Sequence, residues 1–402
     1  MSGKRALFFA EAVTLAHVVR SYQLARSLLH EGYEVHFAVA PRFRFVYDEP
    51  EIRMHWISSK SGETFLDNVE RGRRLYRADE LIGYAQEELE VIEKVQPDWV
   101  LGDFRHSLSI SAKLAGVPYL NLINTYWSPR YAGKRLPVPE LRQFPLSRFS
   151  MSEILMPVLT PIIFKAQGQP LNEARRHFNL EPFDHCLHGW AGGDQTIFCD
   201  VPECFDGYEP TASEHFIGHV TWEPSVGVDE TDRWLHVMAR EPHIYVALGS
   251  SGGRGLRDRV VERALVTGYP VCVSGVPDSE RPADWSDRVL SAEFVSGSAI
   301  AAEAGLVITN GGSPTSYQAL NTGTPVIGIP ANMDQVLCIH HVSKLNAGRV
   351  IRPWEVEKPR FRRTVEELME GACRPEALRW AAWSKGMSYR SRFLEVLEAT
   401  VR

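Results

Sequence analysis

Two residues of this chain have types and positions suited to moving a proton. His17 follows the apolar run Ala6 to Ala10 and the turn Glu11 to Leu15, and it opens a stretch with apolar residues at helical spacing. A helix start disfavours a protonated ring, so a histidine there suits proton acceptance. Asp103 lies directly after the apolar strand Trp99–Val100–Leu101 and Gly102. Alone, such an aspartate reads as a helix cap or turn residue. If both residues follow strands of one parallel sheet, they reach the same rim. A carboxylate bonded to one imidazole nitrogen then fixes the tautomer and stabilises the cation formed when the other nitrogen takes a proton.

A second group suits anion and hydroxyl binding. Asn310–Gly311–Gly312–Ser313–Pro314–Thr315–Ser316 follows the strand-like run Leu306–Thr309 and leads into a helix. Backbone N–H groups and the helix dipole there attract an anion, and the glycines admit close approach. The segment lacks a P-loop lysine and spacing, and G-x-G-x-x-G occurs neither here nor after the first strand. Nucleotide chemistry of the P-loop or nicotinamide type is therefore not expected. Ser250 and Ser251, in the turn Gly249 to Gly253 after the strand His243–Leu248, add hydroxyl or amide donors. Asp334 and Gln335, beyond the strand Pro325–Ile329 and the turn at Pro330, pair a carboxylate with an amide, which suits neighbouring hydroxyls such as those of a sugar.

These positions make sense only on a particular scaffold. Ala6–Ala10, Tyr33–Val39, Trp99–Leu101 and Val117–Leu122 read as strands. They alternate with helical stretches at His17–His30, Glu87–Val95 and Ser107–Ala115. The second half repeats the rhythm, with strands at His243–Leu248, Pro270–Ser274, Leu306–Thr309 and Pro325–Ile329. Such alternation predicts an α/β chain of two doubly wound Rossmann-like domains facing across a cleft. The expected boundaries are 1–221 for the first domain, 222–240 for a polar linker, 241–379 for the second domain and 380–402 for a terminal helix.

At 402 residues the chain exceeds what one core usually carries. A 44% hydrophobic and 23% charged composition excludes disordered and fibrous classes. The net charge of −6 leaves no electrostatic footprint for nucleic acid. Of the 44 cations 35 are arginine, which reads as base-composition bias. Cys186, Cys199, Cys204, Cys272, Cys338 and Cys373 show no metal spacing and read as buried thiols. The N-terminus offers too short an apolar run for a signal peptide or spanning helix, so a cytoplasmic protein is expected.

The stretch Ile308 to Gln335, ITNGGSPTSYQALNTGTPVIGIPANMDQ, resembles the donor-binding signature of nucleotide-sugar glycosyltransferases with the B-type fold. That family includes UDP-glucuronosyl-, UDP-glucosyl- and antibiotic-type enzymes. Its pattern runs H-G-G-x-G-[ST]-x-x-E-A-L, then G-x-P, P and D-Q. Gly311, Gly312, Thr315, Ala319, Leu320, Gly323, Pro325, Pro330, Asp334 and Gln335 fall in register. The opening around His17 and LARSLLHEGYEVHFAV, and the run PDWVLGDFRHSLSISAKLAGVPYLNL around Asp103, resemble the family's first domain. Three positions depart from it: Asn310 replaces histidine, Pro314 replaces glycine, and Gln318 replaces the ribose-binding glutamate. An amide accepts fewer hydroxyl bonds than a carboxylate, so Gln318→Glu is expected from sequence to tighten the donor nucleotide.

The resemblance implies an inverting hexosyltransferase acting on a nucleoside-diphosphate sugar (UDP or TDP) and a small-molecule acceptor. His17 is the base and Asp103 its partner. Ser250, Ser251, Asn310, Gly311, Gly312, Ser313 and Thr315 hold the diphosphate, Gln318 the ribose, and Asp334 and Gln335 the sugar. No metal or other cofactor is implied, in keeping with the absence of D-x-D. The acceptor belongs against the irregular stretch Tyr126 to Gln169, with Tyr126 and Trp127 lining it. The nearly apolar Met151 to Phe164 raises either a lipophilic acceptor or contact with a membrane surface.

Two other classes compete. Gly249–Ser250–Ser251–Gly252–Gly253 also fits G-x-S-x-G, with Asp334 and His340 or His341 in hydrolase order, though this leaves His17 and Asp103 unused. A non-catalytic binding protein on the same fold is favoured by Asn310 and Gln318, and opposed by His17 and Asp103.

Overall fold

The computed structural model describes residues 3–132, 138, 152–224, 227–249 and 253–401. The described residues fall into two compact units. The first takes residues 3–132, 152–222 and 387–401, and the second takes residue 138 and the described part of Glu223–Gly386.

The first unit is built on a seven-stranded parallel sheet. Its strands are β1 (Lys4–Ala10), β2 (Tyr33–Val39), β3 (Arg53–Trp56), β4 (Trp99–Asp103), β5 (Tyr119–Ile123), β6 (Gln195–Phe198) and β7 (Glu214–Phe216), in the order β3-β2-β1-β4-β5-β6-β7. β1 from Ala6 onward and β4 up to Gly102 are apolar and buried, and the two strands lie at the centre, as a sheet buried on both faces requires. Trp99 meets Phe8 edge-on with ring centroids 5.5 Å apart. Phe393, from the terminal helix Tyr389–Thr400, packs on both rings at 6.3 and 6.4 Å. Lys4 Nζ donates to the Val401 carbonyl at 3.0 Å, so the end of the chain closes over the start of β1. The helix Ala78–Val95 ends at Gln96, whose left-handed backbone (φ 50°) precedes Pro97.

The second unit repeats the plan with β8 (Ile244–Ala247), β9 (Val271–Ser274), β10 (Val289–Ala292), β11 (Leu306–Thr309), β12 (Val326–Gly328) and β13 (Gly348–Val350). All are parallel and ordered β10-β9-β8-β11-β12-β13. Its core joins Ile244, Val246, Ile308 and Ile327 of the sheet to helical Val260, Phe361 and Val365.

The stretch 222–240, expected as a linker, contains regular structure. Val228–Met238 is a helix whose Thr231, Trp234 and Met238, at helical spacing, are buried within the second unit. Ser296 N–H donates to Thr231 Oγ1 at 2.9 Å, and Glu223 is bonded to Ser298. The polar composition of the stretch belongs to the outer face of the helix. All six cysteines are buried and unbridged.

Candidate active site

β1 and β4 are neighbours where the strand order of the first sheet reverses, and their last residues, Ala10 and Asp103, stand in register. Connections leave such a pair towards opposite faces, which opens a ligand site beyond the strand ends. From Ala10 the chain turns into the helix Leu15–Arg26, placing His17 in its first turn. Glu11 N–H donates to the Asp103 carbonyl at 3.1 Å and ties the two strand ends together. His17 Nδ1 lies 2.9 Å from Asp103 Oδ1, with His17 19% exposed and Asp103 fully buried. A carboxylate accepts only, so Nδ1 carries a ring proton, and in the neutral ring Nε2 keeps its lone pair.

The sequence reading missed a third member. Arg20, one turn further along the helix, grips Asp103 in a two-pronged bond, Nε to Oδ2 at 2.5 Å and Nη2 to Oδ1 at 2.7 Å. Ser21 Oγ adds a bond to Oδ2 at 3.3 Å. Burial pushes the Asp103 carboxyl up, but the guanidinium and imidazole beside it outweigh that and leave it below the ordinary aspartate range. Arg20 Nη1 in turn donates to Asn124 Oδ1 at 2.6 Å, and Asn124 Nδ2 to Asp200 Oδ1 at 3.1 Å. Polar side chains thus link the ends of β4, β5 and β6. The signal for Arg20 was its place three residues after His17, on the same helix face.

A second buried ionic group braces the same loops. Arg105 donates to Glu88 at 2.6 Å and to Glu11 at 2.8 Å, and lies over the Tyr84 ring. Glu88 also accepts from Ser107 and Ser111, each at 2.5 Å. Between the two groups Phe104 adopts a left-handed backbone (φ 56°), and its ring stacks on His17 with centroids 4.6 Å apart. For a bulky side chain that conformation is uncommon and needs support from its surroundings. The aromatic series continues through His106 and Trp190 to Trp127 and Phe164. Burial pushes the His106 ring down to about 3.

In the second unit β8 and β11 occupy the corresponding reversal, with Ala247 and Thr309 in register. Gly249 (φ 60°) follows β8, and a Cβ there would come within 3.3 Å of Asn310 Nδ2. Asn310 Oδ1 accepts from Gly312 N–H at 2.9 Å, and Gly311 N–H donates to Thr309 Oγ1 at 2.7 Å. The N-cap of the helix Ser313–Asn321 is Gly312, which has no side chain to cap with, and the first turn holds Pro314 and Thr315. Gly311 (φ 80°) packs so closely that a Cβ would lie 3.1 Å from both the Gln335 carbonyl and Ile339. The glycine turn and the Asp334–Gln335 segment are therefore brought together.

The last two do not present themselves equally. Asp334 is exposed, whereas Gln335 is 5% exposed and its Oε1 accepts from Ala331 N–H at 2.8 Å. Gln318 donates through Nε2 to Glu223 at 3.0 Å. Ser250 and Ser251 lie outside the described residues, so the hydrolase alternative has no described nucleophile. His341 is buried near Trp380, with ring centroids 6.3 Å apart.

Of the expected acceptor aromatics, Trp127 is half-buried and Tyr126 is 1% exposed, in a short turn of helix after β5. Much of 133–151 lies outside the described residues. The helix Ser152–His177 follows, with Val158 and Ile162 exposed by 68% and 64%, and Leu159 and Ile163 beside them. Among the described residues no helix is long and apolar enough to cross a membrane, and no three His, Cys, Asp or Glu side chains gather to hold a metal.

No family model matches the chain. It is 36% identical to a PGL/p-HBAD biosynthesis glycosyltransferase of Mycobacterium tuberculosis, over 99% of this chain and 92% of that protein. A PGL/p-HBAD biosynthesis rhamnosyltransferase of Mycobacterium bovis is likewise 36% identical, over 94% and 83%. An inactive PGL/p-HBAD biosynthesis glycosyltransferase of M. bovis is 40% identical over 65% of this chain and 71% of that protein. Among solved structures, spinosyn rhamnosyltransferase SpnG superposes with a TM-score of 0.73 at 16% identity, covering 99% of this chain and 100% of that one. SsfS6 from Streptomyces sp. SF2575 does so at 0.68 and 16%, covering 98% and 99%. The chain is a glycosyltransferase of the family that contains these mycobacterial proteins, built on the B-type fold.

Proposed function

We propose that the protein transfers a sugar from a nucleoside diphosphate to a hydroxyl of a small lipophilic acceptor, in one inverting displacement that needs no metal ion. The observation that carries this reading is the His17–Asp103 bond of 2.9 Å at the sheet's reversal, with Nε2 left to accept a proton. In the reaction the acceptor hydroxyl gives its proton to Nε2. Its oxygen forms a bond to the anomeric carbon on the face opposite the diphosphate, and the bond from that carbon to the diphosphate oxygen breaks. The turn Asn310–Gly312, the helix start with Ser313 and Thr315, and Ser250 and Ser251 receive the departing charge. Asp334 orients the sugar, with Gln335 shaping the turn beside it.

Solved complexes support the substrate classes: SpnG has been solved with thymidine diphosphate and with the spinosyn aglycone. A lipophilic acceptor, or contact with a membrane surface, accords with the exposed apolar side chains between Val158 and Ile163. Sedimentation with liposomes separates the two, since only surface contact carries the protein down without acceptor.

His17→Ala should cut transfer by about 10² to 10⁴ while donor binding persists. Turnover like that of the wild type would remove His17 from the mechanism. EDTA should leave the rate unchanged, and a loss restored by Mg²⁺ or Mn²⁺ would overturn metal-free departure. The inactive relative and the departures at Asn310 and Gln318 support a second reading, a non-catalytic sugar-nucleotide binder. Donor hydrolysis without acceptor, followed by an acceptor screen, distinguishes the two: a binder shows neither activity.

A further inference from the structure

Glu223 lies in the polar stretch that reads as a linker, 95 residues before Gln318. Its Oε1 accepts three bonds: from Gln318 Nε2 at 3.0 Å, Ser298 Oγ at 2.5 Å and Ser298 N–H at 3.2 Å. Its Oε2 accepts none among the described residues, and the side chain is exposed. The orientation of the Gln318 amide follows from this partner. A carboxylate demands a donor, so the nitrogen faces Glu223. The amide oxygen meanwhile sits where a Cβ on Gly297 would come within 2.9 Å, contact that only glycine allows there.

An exposed glutamate normally samples many rotamers, so three donors on one oxygen mark a carboxylate that is held. Gln318 lies five residues beyond Ser313 on the same helix, about 7.5 Å along its axis. That span suits a ligand whose phosphates meet the helix start and whose hydroxyls lie further along. Resting on the nucleotide-donor reading above, we propose that Glu223, braced by Gln318 and Ser298, accepts the furanose hydroxyls of the donor nucleotide through Oε2. The carboxylate that position 318 lacks enters from residue 223. This reverses the expectation for Gln318→Glu: a second carboxylate about 3 Å from the first exchanges a charge-assisted bond for repulsion, and binding weakens.

Calorimetric titration of wild type, Glu223→Gln, Ser298→Ala and Gln318→Glu with UDP and with 2′,3′-dideoxy-UDP tests the assignment. Wild type should favour UDP by about ten-fold, as expected when a hydroxyl meets a charged acceptor. Glu223→Gln should lose most of that preference by weakening UDP alone, with an unchanged melting temperature. Ser298→Ala, which loosens Glu223 without altering it, should weaken UDP a few-fold, and Gln318→Glu should weaken it too. Equal loss for both nucleotides, or Glu223→Gln binding UDP as wild type does, overturns the role of Glu223 and leaves the donor site standing. Failure of the wild type to bind any nucleoside diphosphate overturns the donor reading itself.

Discussion

Asp103 Oδ1 accepts from both His17 and Arg20, while its Oδ2 accepts from Arg20 and Ser21. The Arg20 guanidinium already balances its charge, so Asp103 offers a protonated His17 less net attraction than a lone carboxylate would, and more of its effect lies in orienting the ring. Asp103→Asn should therefore slow transfer through a misplaced ring proton and an unbalanced Arg20, and full activity in that variant would dissolve the dyad. Arg20→Met should cost about 3–5 kcal/mol, because it strands a buried carboxylate. Adding Asp103→Asn to Arg20→Met should recover much of that loss, and urea unfolding of the four proteins measures the coupling. Strictly additive effects would mean that the two side chains do not depend on each other. His17 and Asp103 were legible because each follows a strongly apolar strand. Arg20 was not, since an arginine in the second turn of a helix reads as a surface residue until a buried aspartate is placed beside it.

At the scale of elements, the central strands were legible and the peripheral ones were not. β1, β4, β8 and β11 are near-continuous apolar runs, whereas β3 (RMHW) and β7 (EHF) are short and polar because the sheet edge leaves them partly solvated. The helix Val228–Met238 was hidden behind a polar outer face, and with it the position of Glu223. The glycine turn after β11 was recognised from its residues, but its tight fit was not. Gly311→Ala must adopt φ 80° and push against the Gln335 carbonyl and Ile339. It should cost about 1–3 kcal/mol and weaken nucleotide binding, whereas Gly255→Ala, at a helix position where a Cβ would meet only Arg259 Nη1 at 3.6 Å, should be neutral or stabilising. Melting temperatures of the two variants check the contrast, and equal effects would remove the close-packing argument.

For the whole molecule, buried histidines set the response to acid. Burial pulls His106 down to about 3 and His55 down to about 4, and lowers His36, His185, His215 and His243 as well. An unfolded histidine titrates near 6.5, so between about pH 3 and 6.5 the unfolded chain binds more protons than the folded one. Stability is then fully present above pH 6.5 and declines as the pH falls below it. Asp103 acts in a lower window: its depressed carboxyl contributes stability above about pH 4, lost as the pH drops through its folded value. His106 is the member that can be isolated. Its ring stacks on Trp190, meets Phe104 and Tyr76 edge-on, and leaves Nε2 buried without a hydrogen bond among the described residues. Phenylalanine fits such surroundings and removes the buried polar atom, so His106→Phe should lie within about 1 kcal/mol of wild type at pH 7. Between pH 7 and 5 the wild type should lose about 2 kcal/mol that the variant keeps, from 1.5 pH units at about 1.4 kcal/mol each. Urea unfolding at both pH values, followed by tryptophan fluorescence, measures the difference. Parallel losses in the two proteins would show that His106 takes up its proton in the folded state.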